Sequence, residues 1–267
     1  MPETTRILVL GKTYPSYSQS YDELSCTGGL HADTLAMVRL HPINFRDLPA
    51  PQRFSDWHWI EADIAKDDRD PRPESYRVAP GSIRVHQIVT KAEERRNWLE
   101  RTPHYFGSLE ELKARQAKDG TSLGVIRPAR LTGNRVVPRP PSERAAWQAK
   151  EKVLFSQLRM FGQPRRIDFP DLEFKVGWEC ADTDCPGHEM SFHNWGLHEL
   201  SRKLVDDEQR REKVRAKMDQ LLDERERDVY LMLGNFRGHM TTFGLMGALS
   251  VKRGKQPKAQ GQGSLFE

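Results

Sequence analysis

Trp57-His58-Trp59-Ile60-Glu61-Ala62-Asp63-Ile64 alternates with a period of two, as a half-buried β-strand does. The flanking sequence repeats the theme. Arg6 to Leu10 is a short β run, followed by a loop of Tyr14, Pro15, Ser16, Tyr17 and Ser18. Ser25-Cys26-Thr27-Gly28-Gly29-Leu30 and Ala36-Met37-Val38-Arg39-Leu40 read as paired strands around a polar turn, and Ile83 to Val89 as a further strand. Helices are expected over Ala92 to Arg101 and over Ser108 to Ala117, the second with Leu109 and Leu112 on one face. Short strands at this spacing, broken by proline and glycine, favour a small barrel over a parallel sheet.

Pro138 to Pro141 interrupts the pattern and is the expected boundary, dividing the chain into residues 1–137, 138–251 and a tail, 252–267. Beyond it, Ala145 to Met160 reads as a helix whose apolar side carries Trp147, Val153, Leu154 and Leu158. Glu173 to Glu179 is another alternating strand, and a helix over Trp195 to Val205 follows. A highly charged helix from Glu208 to Arg227 carries the stripe Val214, Met218, Leu221 and Leu222, which reads as a packing face. Asp228 to Leu233 and Thr241 to Val251 form a closing strand pair around the turn Asn235 to Met240. The class is α+β, with the strands concentrated in the first part.

At 267 residues, 30% charged and 37% hydrophobic, the chain is long enough for one large or two ordinary cores. The apolar run Ile7 to Leu10 is too short for a signal peptide or a membrane span, which points to the cytoplasm. The net charge of +4 is unevenly spread. Ten basic residues lie between Arg127 and Arg166, among them Arg127, Arg130 and Arg135, and only Glu143 and Glu151 oppose them in that stretch. Such a segment attracts a polyanion, so a nucleic acid, DNA or RNA, is the expected partner.

Three cysteines make no disulfide framework, and two of them belong to Cys180-x4-Cys185-x2-His188. Thiolate and imidazole donors on a tight turn suit tetrahedral zinc, here expected as a structural ion. His239, in the turn between the closing strands, is the expected fourth ligand because a distant ligand ties the second part shut. His193 is the alternative. The deaminase and His-Glu-x-x-His patterns are absent, and Gly11-Lys12-Thr13 lacks the earlier glycine of a P-loop.

Asp67-Asp68-Arg69-Asp70-Pro71-Arg72-Pro73-Glu74-Ser75-Tyr76-Arg77 alternates carboxylates with arginines. It reads as a proline-stiffened loop laced by its own ion pairs. A metal-dependent nuclease or nucleotide hydrolase centred on Asp70, Glu74 or the Cys/His group is the rival reading, and a scaffold that touches only proteins is a third. If the barrel binds nucleic acid, Arg39, Arg46 and Arg72 are candidate phosphate contacts, and Tyr14, Tyr17, Trp57 and Trp59 candidate stacking rings.

Lys12-Thr13-Tyr14-Pro15, Cys26-Thr27-Gly28-Gly29, Arg39-Leu40-His41-Pro42 with Phe45-Arg46, Asp70-Pro71-Arg72-Pro73-Glu74-Ser75 and Cys180…Cys185-x-Gly187-His188 together resemble a family of uncharacterised prokaryotic proteins. The first half is similar, more distantly, to dual OB-containing domains, a resemblance that implies nucleic-acid sensing in conflict and repair systems. The fold expected is thus an OB-like small barrel followed by a zinc-stabilised α+β part. After a basic, Gly- and Gln-rich stretch from Lys252, the chain reads Gln262-Gly263-Ser264-Leu265-Phe266-Glu267. That segment resembles the peptide by which bacterial repair and replication proteins hang on the DNA sliding clamp, with Gln262, Leu265 and Phe266 as its anchors on a flexible leash. The reading is a cytoplasmic nucleic-acid-binding accessory protein of repair, replication or genome defence.

Overall fold

The computed structural model of the protein describes residues 2–18, 22–156, 165–204 and 206–253. The apolar run Ile7-Leu8-Val9-Leu10 lies inside the first strand, β1 (Glu3–Lys12), and is buried on both faces. Ile7 and Val9 point into one core, Leu8 and Leu10 into another. A strand covered on both sides needs an unbroken apolar run rather than alternation. The short hairpin β2 (Ser16–Ser18) and β3 (Asp22–Leu24) leads to β4 (Thr27–His31) and β5 (Met37–His41). After these come β6 (His58–Lys66), β7 (Ser75–Val78) and β8 (Arg84–Ile88).

Strands β1, β4, β5, β7 and β6 close on themselves in that order, because β6 pairs back with β1 from Glu3↔Ile64 to Leu8↔Trp59. All neighbours are antiparallel except β5 and β7, which run parallel through Arg39↔Ser75 and Leu40↔Tyr76. The N-terminal part is therefore a closed five-stranded barrel, with β8 paired to β6 outside the ring. Ile7, Val9, Val38, Leu40, Ile60 and Ile64 fill it. The period-two reading of residues 57–64 changes phase inside the strand. Ile60, Ala62 and Ile64 face the barrel, whereas Trp57 and Trp59 join the neighbouring core, beside a register shift between His58 and Ile60.

The helix α1 (Ala92–Arg101) follows the barrel. Then β9 (Tyr105–Phe106), α2 (Leu109–Asp119) and β10 (Leu123–Ile126) open the second half. Ser108 is the N-cap of α2, its hydroxyl accepting from the Glu111 amide, and Gly120 at φ 81° ends it in the left-handed region. Next come β11 (Arg130–Pro138), α3 (Pro141–Ser156), β12 (Leu172–Glu179), β13 (His188–Ser191), α4 (Trp195–Arg202) and α5 (Asp207–Leu221). The long hairpin β14 (Arg227–Phe236) and β15 (His239–Lys252) completes the described fold. One sheet has the order β15-β14-β10-β9, the other β11-β12-β13.

Pro138 ends a strand paired with Leu172, and Pro141 opens α3, four residues before the expected start at Ala145. The sheet that includes β9 starts at Tyr105, well before the proline segment. Val214, Met218, Leu221 and Leu222 of α5 do pack against the core between the two sheets. Lys252, the expected start of the tail, is the last residue of β15. Gln262, Leu265 and Phe266 lie outside the described residues. No helix among the described residues is long and apolar enough to cross a membrane.

The barrel is not separate from the second half. Leu8, Leu10, Leu30 and Met37 share a core with Leu123, Val125, Tyr230, Met232 and Leu249. The approach is close. A Cβ on Gly28 would meet the Met232 sulfur at 3.1 Å, and one on Gly29 would meet the Leu8 carbonyl oxygen at 2.7 Å. A side chain can yield, but the paired strand backbone cannot. Gly29→Ala is thus expected to cost about 1–3 kcal/mol in urea unfolding, as overpacking does, while Gly81→Ala, with open space but φ 75°, costs less.

Candidate functional site

Two guanidinium groups lie almost fully buried where the barrel meets the second half. Arg39, on β5, is 1% exposed, and Arg72, in the β6–β7 loop, is 6% exposed. Arg39 donates to Ser122 Oγ at 2.8 Å, to the Ser122 carbonyl at 3.2 Å and to Ser75 Oγ at 3.3 Å. Arg72 makes a fork with Asp70, Nε to Oδ1 at 2.9 Å and Nη2 to Oδ2 at 2.6 Å, and sends Nη1 to the Asn235 carbonyl at 3.0 Å. Glu74 accepts from the Ser122 amide at 2.9 Å and from its hydroxyl at 2.5 Å, with His104 Nε2 at 3.4 Å. Burial, and then the neighbouring Arg72 charge, push Arg39 down to about 10. Burial alone would raise Asp70 and Glu74. The Arg72 bonds outweigh it for Asp70, as do those of His104 and Ser122 for Glu74, so both carboxyls sit below their ordinary range. Asp70 and Glu74 are both engaged by these bonds.

Beside this layer opens a cleft of about 480 Å³. The barrel contributes Thr13 to Ser16 and Cys26 from the connection between β1 and β4, with Arg39 and Arg72. The opposite wall comes from α3 (Glu143, Trp147, Lys150), Phe169, His193, His198 and the Asn235–Arg237 turn. Five cations line it, Arg39, Arg72, Arg139, Lys150 and Arg237, against one carboxylate, Glu143, which Arg139 already holds at 2.7 Å. Aromatic rings stand between the charges. Tyr14 lies 4.9 Å from His198, and Trp147 lies 5.1 Å from Tyr17 and 5.8 Å from Phe169, centroid to centroid.

Burial first, then Arg139 and His193, drive His198 down to about 3, and burial followed by Arg139 lowers His193. Both imidazoles are therefore neutral at pH 7. Burial also raises Tyr14 to about 12, helped by Glu199 and Asp168, so its hydroxyl stays protonated. Three polar atoms of cleft residues are buried without a hydrogen-bond partner: Asn235 Oδ1, Trp147 Nε1 and Arg139 Nε. A smaller recess of about 300 Å³ adjoins it through Tyr14, Phe169 and His198, and adds Arg144 with the pairs Arg202–Asp168 and Arg210–Asp171.

The second cluster is Cys180, Cys185 and His188, whose ligand atoms all lie within 4.8 Å of one another. Cys180 follows β12, and His188 begins β13 opposite Trp178. The Cys180 amide donates to Cys185 Sγ at 3.2 Å, and Cys185 Sγ lies 3.3 Å from His188 Nε2. The group could hold a metal ion. His239 is not in it. That residue is exposed at the head of β15, paired with Phe236. His193 instead lines the cleft, because its amide bonds to the Leu245 carbonyl and seats it against Phe236.

The expected phosphate contacts fare unevenly. Arg39 and Arg72 reach the cleft, but their donors are largely taken. Arg46 is tied to Glu23 at 2.6 Å. Arg127 meets Asp228 at 2.9 Å, Arg130 meets Glu179 at 2.6 Å and Arg135 meets Glu189 at 2.5 Å. Distant carboxylates thus neutralise the arginines that look unopposed along the chain. Trp57 and Trp59 are core residues, while Tyr14 lines the cleft. Along the sequence Trp147 reads as part of a packing face, and Phe169, His198, Asn235 and Arg237 carry no local mark of a site. Only the density of basic residues around Lys150 signals it.

A family model described as Domain of unknown function (DUF8758) matches residues 3–104, and a second, Domain of unknown function (DUF8757), matches residues 105–267. The second spans more than half of the chain, and the protein belongs to that family. The two meet where β9 begins. No curated protein matches the sequence.

Removing one partner of the buried pair strands a charge. Asp70→Asn is expected to lower stability by about 3–5 kcal/mol in urea unfolding, and Asp70→Leu/Arg72→Met together by less. With the Asp70 and Glu74 carboxyls depressed in the folded state, their contribution is complete above about pH 5 and fades as pH falls. Wild-type Tm should therefore drop more steeply between about pH 5 and pH 3 than that of Asp70→Asn.

Proposed function

We propose that the protein binds single-stranded nucleic acid in the cleft between barrel and second half, as a cytoplasmic accessory protein of repair, replication or genome defence. The carrying observation is the placement of the cleft. A five-stranded closed barrel is the form of an OB fold, whose second and third strands and whose first-to-second and fourth-to-fifth loops take oligonucleotides. The corresponding parts here are β4, β5, the connection after Lys12 and the loop before Ser75, and the cleft collects Thr13 to Ser16, Cys26, Arg39 and Arg72 from them. Lys150 and Arg237 answer phosphates, the buried Arg39 and Arg72 add positive potential behind them, and Tyr14, Trp147 and Phe169 offer faces for bases. In this reading segment 262–266 brings the protein to the sliding clamp.

Zinc is the ion proposed for Cys180, Cys185 and His188. Two thiols and an imidazole form a donor set suited to it. Its role is structural: it would fasten the end of β12 to the start of β13.

Fluorescence anisotropy with labelled oligothymidylate, oligouridylate and duplex DNA tests the binding reading. Single strands should bind and weaken about tenfold or more between 50 and 200 mM salt, as release of a few counterions requires. Trp147→Ala and Lys150→Ala should each weaken binding about tenfold, the scale of one lost stack or phosphate contact. Absence of salt-sensitive binding to any of these would leave a protein-only scaffold. Separately, a pull-down should lose the clamp in Leu265→Ala/Phe266→Ala, and equal recovery by both proteins removes the clamp from the account.

A further inference from the structure

The Cys180, Cys185 and His188 group lies at the start of α2, not in open loop. Leu109, which opens that helix, packs in the same core as Cys180. The next residue, Glu110, places Oε2 3.5 Å from His188 Nε2. Around a zinc ion with donors about 2.0–2.3 Å away, the edges of the ligand tetrahedron are about 3.3–3.8 Å long. Both neighbours of His188 Nε2 fall near that length, Cys185 Sγ at 3.3 Å and Glu110 Oε2 at 3.5 Å. The imidazole nitrogen thus has a thiol and a carboxylate within a tetrahedron edge of it, while Glu110 stands outside the group of ligand atoms that all lie within 4.8 Å of one another, so its half-exposed side chain must turn toward the sulfurs to close the set.

We propose that Glu110 is the fourth ligand, closing a site of two thiolates, one imidazole and one carboxylate that pins α2 to the β12–β13 connection. This rests on the zinc reading above. Three glutamates nearby are engaged elsewhere. Glu179 holds Arg130, Glu189 holds Arg135, and Glu111 accepts the Gly107 amide at 2.7 Å. Asp182 and Asp184 are exposed in the turn, with Asp182 accepting the Asp184 amide. Glu110 has only an exposed pair with Lys113 at 3.5 Å, weak enough to yield to a metal. Its carboxylate and the two thiolates lie by the positive end of an eleven-residue helix, which favours the negative charge the closed site would carry.

Cobalt(II) titration of the full-length protein, read by absorption and followed by zinc competition, tests the assignment. Wild type should take up one equivalent with thiolate-to-cobalt charge transfer and a four-coordinate visible band. Glu110→Ala should keep the charge transfer, shift the visible band as water replaces carboxylate, and bind zinc at least tenfold more weakly. Glu110→His should restore the affinity, while Glu111→Ala leaves spectrum and affinity unchanged. A Glu110→Ala spectrum and affinity equal to wild type overturns the fourth-ligand assignment and leaves the three-residue site standing. Failure of wild type to bind cobalt or zinc overturns both.

Discussion

Two arginines shut away from water, Arg39 and Arg72, set the terms for the rest of the structure. A buried guanidinium needs a counter-charge and acceptors for its donors. Those acceptors come from both halves of the chain: Asp70 and Ser75 from the barrel side, Ser122 and the Asn235 carbonyl from the second half. The amide of Asn235 in turn donates to the Ser122 carbonyl, so the two loops that receive the arginines are tied to each other. Apolar packing among Leu8, Leu10, Met232 and Leu249 supplies attraction between the halves, and the ionic layer supplies register. Because a misplaced half would strand a charge, one arrangement is favoured over near alternatives.

The cleft inherits that register. It opens where the connection after β1, Arg39 and Arg72 face α3 and the β14–β15 turn, so every wall is positioned by the same contacts. Dry histidines and the protonated Tyr14 form neutral inner surfaces, and Lys150 and Arg237 add charge to the opposite wall. A polyanion with planar bases meets both requirements at once. The Cys180, Cys185 and His188 group lies elsewhere, on the connection between β12 and β13, at the edge of the core that Leu109, Trp178 and Cys180 share.

Much of the architecture can be read along the chain, because periodicity reports which faces are covered. The strands around residues 6–10, 57–64 and 173–179, helix α1 and the stripe of α5 all follow from local pattern. Closure of the barrel does not, since pairing of β6 with β1 joins residues more than fifty positions apart and leaves no local mark. Charge is the least legible property. Arg127, Arg130 and Arg135 look like a phosphate track until Asp228, Glu179 and Glu189 arrive from distant strands. Conversely, the loop containing Asp70 and Glu74 reads along the chain as a surface segment laced by ion pairs. The pairing is real, but Asp67, Asp70, Arg72 and Glu74 are buried while Asp68, Arg69, Pro71 and Pro73 stay exposed, and the buried charges organise the junction. Cys180, Cys185 and His188 are legible because their spacing is local, and so is the hairpin turn that carries His239, but that the turn stands apart from the Cys/His group is a matter of tertiary placement that no local pattern shows.

The most direct test of the central claim is photocrosslinking of full-length protein to a 5-iodouracil-substituted oligonucleotide, with mapping of the modified peptides. The account expects attachment at Tyr14, Trp147 or Phe169, lost when Trp147 is replaced and when salt is raised. Crosslinks confined to the outer face of β11-β12-β13 or to α5, with none in the cleft, would contradict it.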